Sequence, residues 1–131
     1  MNYEWLGRYL LEKTGVTTDY HPEWEATRYF VGGKMFAMQG GDKNGRPIFT
    51  LKLEPSLSDL LRRQYPGVIV PGYYMNKVHW SSLYLESRIP EETVRGMADW
   101  AYEAGLCALS KKKRSEIEKE PQEGERDADR F

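Results

Sequence analysis

The sequence predicts a single α+β domain in which helices flank an antiparallel sheet. Three observations carry this. Apolar residues recur at helical spacing near both ends of the chain. Between them lie short aromatic and β-branched segments joined by Gly32-Gly33 and by a second turn centred on Asn44-Gly45. The length of 131 residues suits one domain with a hydrophobic core that needs no disulfide or metal staple.

The expected order is helix, three antiparallel strands, helix, one or two strands, helix. Asn2 can cap a first helix running to about Lys13, with Trp5, Leu6, Tyr9 and Leu10 as its apolar side and Thr14-Gly15 as its stop. Trp24–Val31 reads as a strand and Gly32-Gly33 as a two-residue hairpin turn. Lys34–Gln39 is the return strand, and Gly40–Arg46 turns the chain again. Ile48–Leu53 is the third strand. Its alternation puts Phe49, Leu51 and Leu53 on one face and Ile48, Thr50 and Lys52 on the other.

Pro55-Ser56 opens a second helix with Ser56 as N-cap and Leu57, Leu60 and Leu61 as its stripe; Pro66-Gly67 ends it. Val68–Val70 reads as a short strand, Pro71-Gly72 as a turn, and His79–Glu86 as the last strand. There Leu83 and Leu85 face the core, while Trp80, Ser82 and Tyr84 face away. Pro90 starts the final helix, whose apolar stripe runs from Val94 to Leu109 and which ends in Lys111–Arg114. The domain is expected to span 1–114. The remainder, 115–131, is charged and nearly free of apolar residues and is expected to be a disordered acidic tail.

Composition excludes several function classes. One cysteine, Cys107, cannot form an internal disulfide; it reads as packing in a reducing, cytoplasmic setting, with a reactive thiol as the alternative. Two histidines and one cysteine argue against a zinc site. There is no long apolar run to span a membrane and no signal-peptide pattern. No phosphate-binding glycine loop and no Ser-His-Asp or Cys-His pattern stands out, so no cofactor and no enzymatic activity are expected.

The net charge of −1 hides an asymmetry: Met1–Arg114 carries 16 basic against 13 acidic residues, and Ser115–Phe131 carries 3 against 7. Within Arg28–His79 the balance is 8 basic to 3 acidic, so the middle of the chain is locally basic. Cations interleaved with aromatics suit nucleic acid, with Lys and Arg on phosphates and rings stacked on bases. The candidates are Lys34, Lys52, Arg62, Arg63, Asn76, Lys77, His79 and Trp80. Each has a plainer reading. Arg62 and Arg63 suit a helix C-terminus, as do Lys111–Arg114. His79 can be a satisfied strand residue or a general base, and Trp80 can be the centre of a small second core. A small-molecule site or a protein-interaction surface is the alternative function, using Tyr73, Tyr74, Trp80 and Tyr84.

The segments VGGKMFA (Val31–Ala37), TLKLEP (Thr50–Pro55), YPGV (Tyr65–Val68), PGYYMNKVHW (Pro71–Trp80) and AYE (Ala101–Glu103) resemble the MmcQ/YjbR family of small bacterial proteins. The resemblance covers nearly everything up to Arg114, and the PGYYMNKVHW block is its specific part. The chain departs from the family pattern at Tyr74, where histidine is usual, at Ala101, where serine is usual, and at His21–Trp24, which replaces a Pro-Phe pair. The resemblance implies a CyaY-like (frataxin-like) antiparallel sheet flanked by helices. It also implies DNA binding through a double-wing arrangement of that sheet, with some members tied to drug resistance.

Overall fold

A computed structural model describes residues 5–72 and 76–118. Its elements, in order, are α1 (Trp5–Leu11), β1 (Val16–His21), β2 (Ala26–Val31), β3 (Lys34–Gly41), β4 (Pro47–Lys52), α2 (Pro55–Gln64), β5 (Ile69–Pro71), β6 (Trp80–Tyr84), α3 (Glu91–Cys107) and α4 (Lys111–Glu118). The six strands form one sheet in the order β1-β2-β3-β4-β6-β5, and every neighbouring pair is antiparallel. The α+β class and the antiparallel sheet are as the sequence predicts.

One sheet face carries the helices. Phe49, Leu51 and Leu53 of the β4 segment join Tyr29, Val31, Phe36 and Leu83 in a core closed by Leu6, Leu10, Leu61, Val94, Met97, Ala101 and Leu106. Burial of each large apolar side chain stabilises the fold by roughly 1.5–3 kcal/mol, so this face dominates the energetics. Close approach of α3 depends on Gly105: a Cβ there would lie 2.9 Å from Val31 Cγ1 and 3.2 Å from Phe36 Cβ. The other anchor is polar. Asp99 of α3 accepts from Tyr9 Oη at 2.7 Å and from Lys13 Nζ at 2.6 Å, tying the first helix and its exit to the last long one.

Several local expectations are corrected. Strand β1 was not foreseen; the following strand begins at Ala26 and not at Trp24, because residues 22–25 form the turn that joins them. α1 is shorter than expected, ending at Leu11, and Asn2 lies outside the described residues. α2 starts at Pro55 with Glu54 at the N-cap, and the Ser56 hydroxyl donates to the Glu54 carboxylate, so Ser56 is not the cap. α3 ends at Cys107, and Lys111–Arg114 open a separate helix instead of closing it. That helix, α4, carries the chain past the expected boundary at Ser115. Its Ile117 is buried, and side-chain atoms added at Gly15 or Gly32 would run into it. The rest of the expected tail, 119–131, lies outside the described residues. Among the described residues no helix is long and apolar enough to cross a membrane.

Candidate functional site

The sheet face without helices carries some of the residues singled out from the sequence. Register fixes its rungs: Lys52 pairs with Trp80, Thr50 with Ser82, and Ile48 with Tyr84. The expectation that Lys52, Trp80, Ser82 and Tyr84 share this face holds, but they are not an open platform. Trp80 and Tyr84 are each 7 % exposed, and Thr50 and Ser82 are fully buried. The Thr50 and Ser82 hydroxyls hydrogen-bond each other at 2.8 Å, so the rung between the two rings is sealed and satisfied.

At the Trp80 end, the antiparallel register brings together the start of β3, the end of β4 and the start of β6. Lys34, Lys52, Asn76, Lys77, His79 and Trp80 therefore lie at one end of the sheet. Much of their chemistry is already committed. The Arg62 guanidinium donates to Ser81 Oγ (3.0 Å), to Trp80 O (2.6 Å) and to Lys77 O (2.5 Å), stapling α2 to the loop before β6. Burial pulls the pKa of this guanidinium down, against the opposing charge of Asp59. Lys77 Nζ donates to Gly72 O at 3.1 Å, and the Asn76 side-chain oxygen accepts from Val78 N–H at 2.9 Å. Arg63 faces solvent beside Asp59 at 3.0 Å. Gly72 N–H donates to Trp80 O, and a Cβ on Gly72 would lie 2.7 Å from that of Trp80, so the chain packs tightly against the Trp80 backbone and Cβ. Of the two roles open for Trp80, burial is the one found. Lys34, Lys52 and His79 keep side chains outside any hydrogen bond or ion pair among the described residues.

Of the aromatic site expected from Tyr73, Tyr74, Trp80 and Tyr84, only the last two fall within the described residues; Tyr73 and Tyr74 lie outside them. Trp80 and Tyr84 are four residues apart on one strand, about 13 Å at the usual strand rise, and belong to opposite ends of the face.

The Tyr84 end holds a feature that the sequence reading missed. An open cavity of about 620 Å³ lies over the starts of β2 and β4 and the end of β3. Ala26, Met38, Gly40 and Ile48 line it, Trp24 adds an aromatic surface, and Glu23, Glu25 and Asp42 contribute carboxylates. Trp24 is held in place by stacking on His21, with ring centroids 4.2 Å apart, and by its N–H, which donates to His21 Nδ1 at 3.3 Å. Glu25 has φ of 51°, the left-handed backbone region that disfavours side chains with a Cβ. Asp42 is built into the wall: its carboxylate accepts from Tyr84 Oη (2.8 Å) and from the N–H groups of Asn44 (2.8 Å) and Arg46 (2.9 Å). Desolvation pushes its pKa upward, but the Arg46 N–H, the Tyr84 hydroxyl, the Asn44 N–H and the Arg46 charge outweigh it. The carboxyl therefore sits below its ordinary range. The Arg46 guanidinium in turn lies 4.1 Å from the Tyr84 ring centre. The one signal in the sequence was Gly40-Gly41 ahead of Asp42. As a turn it is unremarkable; at the end of a strand it leaves space where side chains would stand.

The helical side carries a second, shallower hollow between α2 and α3, where Leu60 and Trp100 are about half exposed, with Arg63, His79 and Cys107 on its border. No group of three or more His, Cys, Asp or Glu side chains able to hold a metal occurs among the described residues.

Comparison with known proteins agrees with the architecture. The YjbR family model matches residues 11–104. The uncharacterised protein YjbR of Escherichia coli K12 is 35 % identical over 109 residues, covering 83 % of this chain and 91 % of that protein. The uncharacterised protein YyaQ of Bacillus subtilis is 30 % identical over 108 residues, covering 72 % of this chain and 90 % of its own. The crystal structure of the Deinococcus radiodurans protein DR2400 superposes with a TM-score of 0.79 at 24 % identity, over 89 % of this chain and 88 % of that one, a likeness of fold. A crystal structure from Pseudomonas syringae gives 0.66 at 22 % identity, over 80 % of this chain and 99 % of that one. With the family model spanning most of the domain and relatives at this identity nearly full length, the chain belongs to the YjbR family.

Proposed function

We propose that this protein is a binding module for a small organic ligand, taken up in the cavity at the Tyr84 end of the helix-free sheet face. The observation that carries the reading is the cavity itself. About 620 Å³ falls inside the roughly 300–1,000 Å³ range of small-molecule sites. Its lining combines an apolar floor with a few fixed polar groups, which is the composition such sites need. A reducing compartment such as the cytoplasm fits the single exposed Cys107. The test is amide shift mapping against a mixed library of neutral, anionic and cationic fragments. Hits should perturb Ala26, Met38, Gly40 and Ile48. A library-wide absence of shifts there, or hits confined to residues 76–80, would reject the reading.

A second reading is DNA binding at the opposite end of the face, supported by the convergence of Lys34, Lys52 and Lys77 beside exposed Asn76 and His79. In this reading Trp80 is not a stacking platform unless Gly72 moves off it, and Arg62 acts by holding the loop. Fluorescence anisotropy at several salt concentrations tests it. Lys52→Ala should weaken all sequences about equally and lower the salt slope by about 1. No binding at low salt would end this reading and leave the cavity reading untouched.

A further inference from the structure

The cavity's chemistry narrows its occupant. Its lining includes three carboxylates, from Glu23, Glu25 and Asp42, and no Lys, Arg or His. The cations on nearby strand positions are engaged. Arg28 donates from Nε and Nη2 to the two carboxylate oxygens of Asp19 at 2.8 and 2.6 Å and also lies 5.6 Å from the Trp24 ring centre, and Arg46 lies over the Tyr84 ring beside Asp42. Glu23 and Glu25 make no ion pair among the described residues and stand exposed at the mouth. Below them Ala26, Met38 and Ile48, each under 7 % exposed, form an apolar floor. With Arg28 neutralised by Asp19, an anionic ligand would meet two like charges at the mouth, and a neutral apolar one would gain nothing from them.

Glu25 sharpens the point. Its left-handed backbone disfavours a residue with a Cβ, a cost that glycine avoids. Its side chain forms no ion pair among the described residues that would offset this. A carboxylate kept at such a position gains its reason if the charge is used by something outside the fold.

We infer that the cavity binds an amphiphilic organic cation, its apolar body against Ala26, Met38 and Ile48 and its positive group between Glu23 and Glu25. The inference rests on the small-ligand reading of the same cavity and adds the sign of the ligand. Trp24, half exposed and stacked on His21, adds an aromatic wall beside the two glutamates.

Two ions of matched shape and opposite charge test the sign directly: tetraphenylphosphonium and tetraphenylborate, each titrated into the full chain with calorimetry and amide shifts read together. Tetraphenylphosphonium should shift Ala26, Met38, Gly40 and Gly41 and bind at least about tenfold more tightly than tetraphenylborate, the preference shrinking as salt screens the mouth. Glu23→Gln and Glu25→Gln should each weaken the cation about threefold, the scale of one exposed ion pair. Glu25→Gly should weaken it to the same extent while melting no lower than the parent, because the backbone strain is relieved. Equal binding of the two ions in the cavity, or preference for the borate, overturns the inference while the ligand reading stands. The same holds if neither ion shifts the cavity but fragments of other charge do. Absence of cavity shifts with any compound removes the ligand reading itself, and the inference with it.

Discussion

Replacing Arg62 by methionine tests how the Trp80 end of the sheet is held. The aliphatic stem is kept and only the guanidinium fork is lost. Three acceptors lose a hydrogen bond: Ser81 Oγ, Lys77 O and Trp80 O, the last keeping the Gly72 N–H. The bond to Lys77 O is solvent-exposed and can be replaced by water, so it adds little. The other two are partly buried, and a net value of about 1 kcal/mol each is appropriate for a donor that still touches solvent. Ser81 is fully buried, so leaving its hydroxyl without this donor adds a desolvation cost of about 1 kcal/mol. The expected loss is about 2–3 kcal/mol, which for a domain of this size lowers Tm by roughly 6–12 °C. Arg62→Lys should recover less than half, because an ammonium cannot reach several divergent acceptors from one point. Urea unfolding is the suitable assay, being insensitive to the charge change. Hydrogen exchange of the Trp80 and Ser81 amides should quicken first. Were Arg62 a phosphate ligand instead, Arg62→Met would melt normally and lower the salt slope of DNA binding by about 1. A melting point within 1 °C or so of the parent refutes the staple.

Trp80→Ala should destabilise by roughly 3–5 kcal/mol, the usual cost of deleting a buried large aromatic, read by the same unfolding assay; Trp80→Phe should cost less. Gly105→Ala sets helix propensity, worth about 1 kcal/mol in favour of alanine, against a Cβ placed 2.9 Å from Val31 Cγ1 and 3.2 Å from Phe36 Cβ. Neither neighbour can swing away, so overpacking of about 1–3 kcal/mol should win and the variant should melt lower. The Asp42 carboxyl lies below its ordinary range when folded, so its stabilising contribution is complete above about pH 4 and is lost as pH falls through the folded value. Tyr84→Phe removes one of the bonds that depress it, and the acid-unfolding midpoint should move to higher pH; an unchanged midpoint would show that Tyr84 does not hold the charge.

Elements whose residues signal locally were legible in the sequence. The Gly32-Gly33 turn, the alternation of Phe49, Leu51 and Leu53, and the apolar stripe of α3 each state their own geometry. β1 was illegible for the opposite reason. VTTDYH has no apolar alternation, its inner residues are exposed, and backbone pairing to β2 with the Asp19–Arg28 contact is what places it. The break between α3 and α4 was hidden because Lys111–Arg114 complement a helix C-terminus as well as they open a new helix. The deciding contact, Ile117 beside Gly15 and Gly32, spans most of the chain. Arg62 stands in the last turn of α2, as one of its two readings had it, but its part as a staple was hidden likewise. Its acceptors come from residues 77–81, and a cation that reads as a free ligand in sequence is a staple once that loop folds back.

The same long-range register explains why one face holds both a sealed end and an open one. Across β4 and β6 the rungs alternate ring, hydroxyl pair, ring: Trp80 on Lys52, Ser82 on Thr50, Tyr84 on Ile48. Two rings and a satisfied hydroxyl pair leave no space there, which is why this helix-free face is as dry as the core. One strand further on, Ile48 pairs with Gly40 and Pro47 with Gly41, and the turn beyond adds Gly45. Glycine in a strand weakens it, and its usual justification is a close approach by something else, a second backbone or a ligand. At Gly41 the backbone of Gly45 supplies that approach, at 3.4 Å from where a Cβ would sit. At Gly40 the turn before β2 supplies it: a Cβ there would lie 3.3 Å from Ala26 Cβ and 3.5 Å from Glu25 O. Both glycines are thus explained by close backbone packing, which draws the turns before β2 and β4 together at the rim of the cavity, with Glu23 and Glu25 forming no ion pair among the described residues.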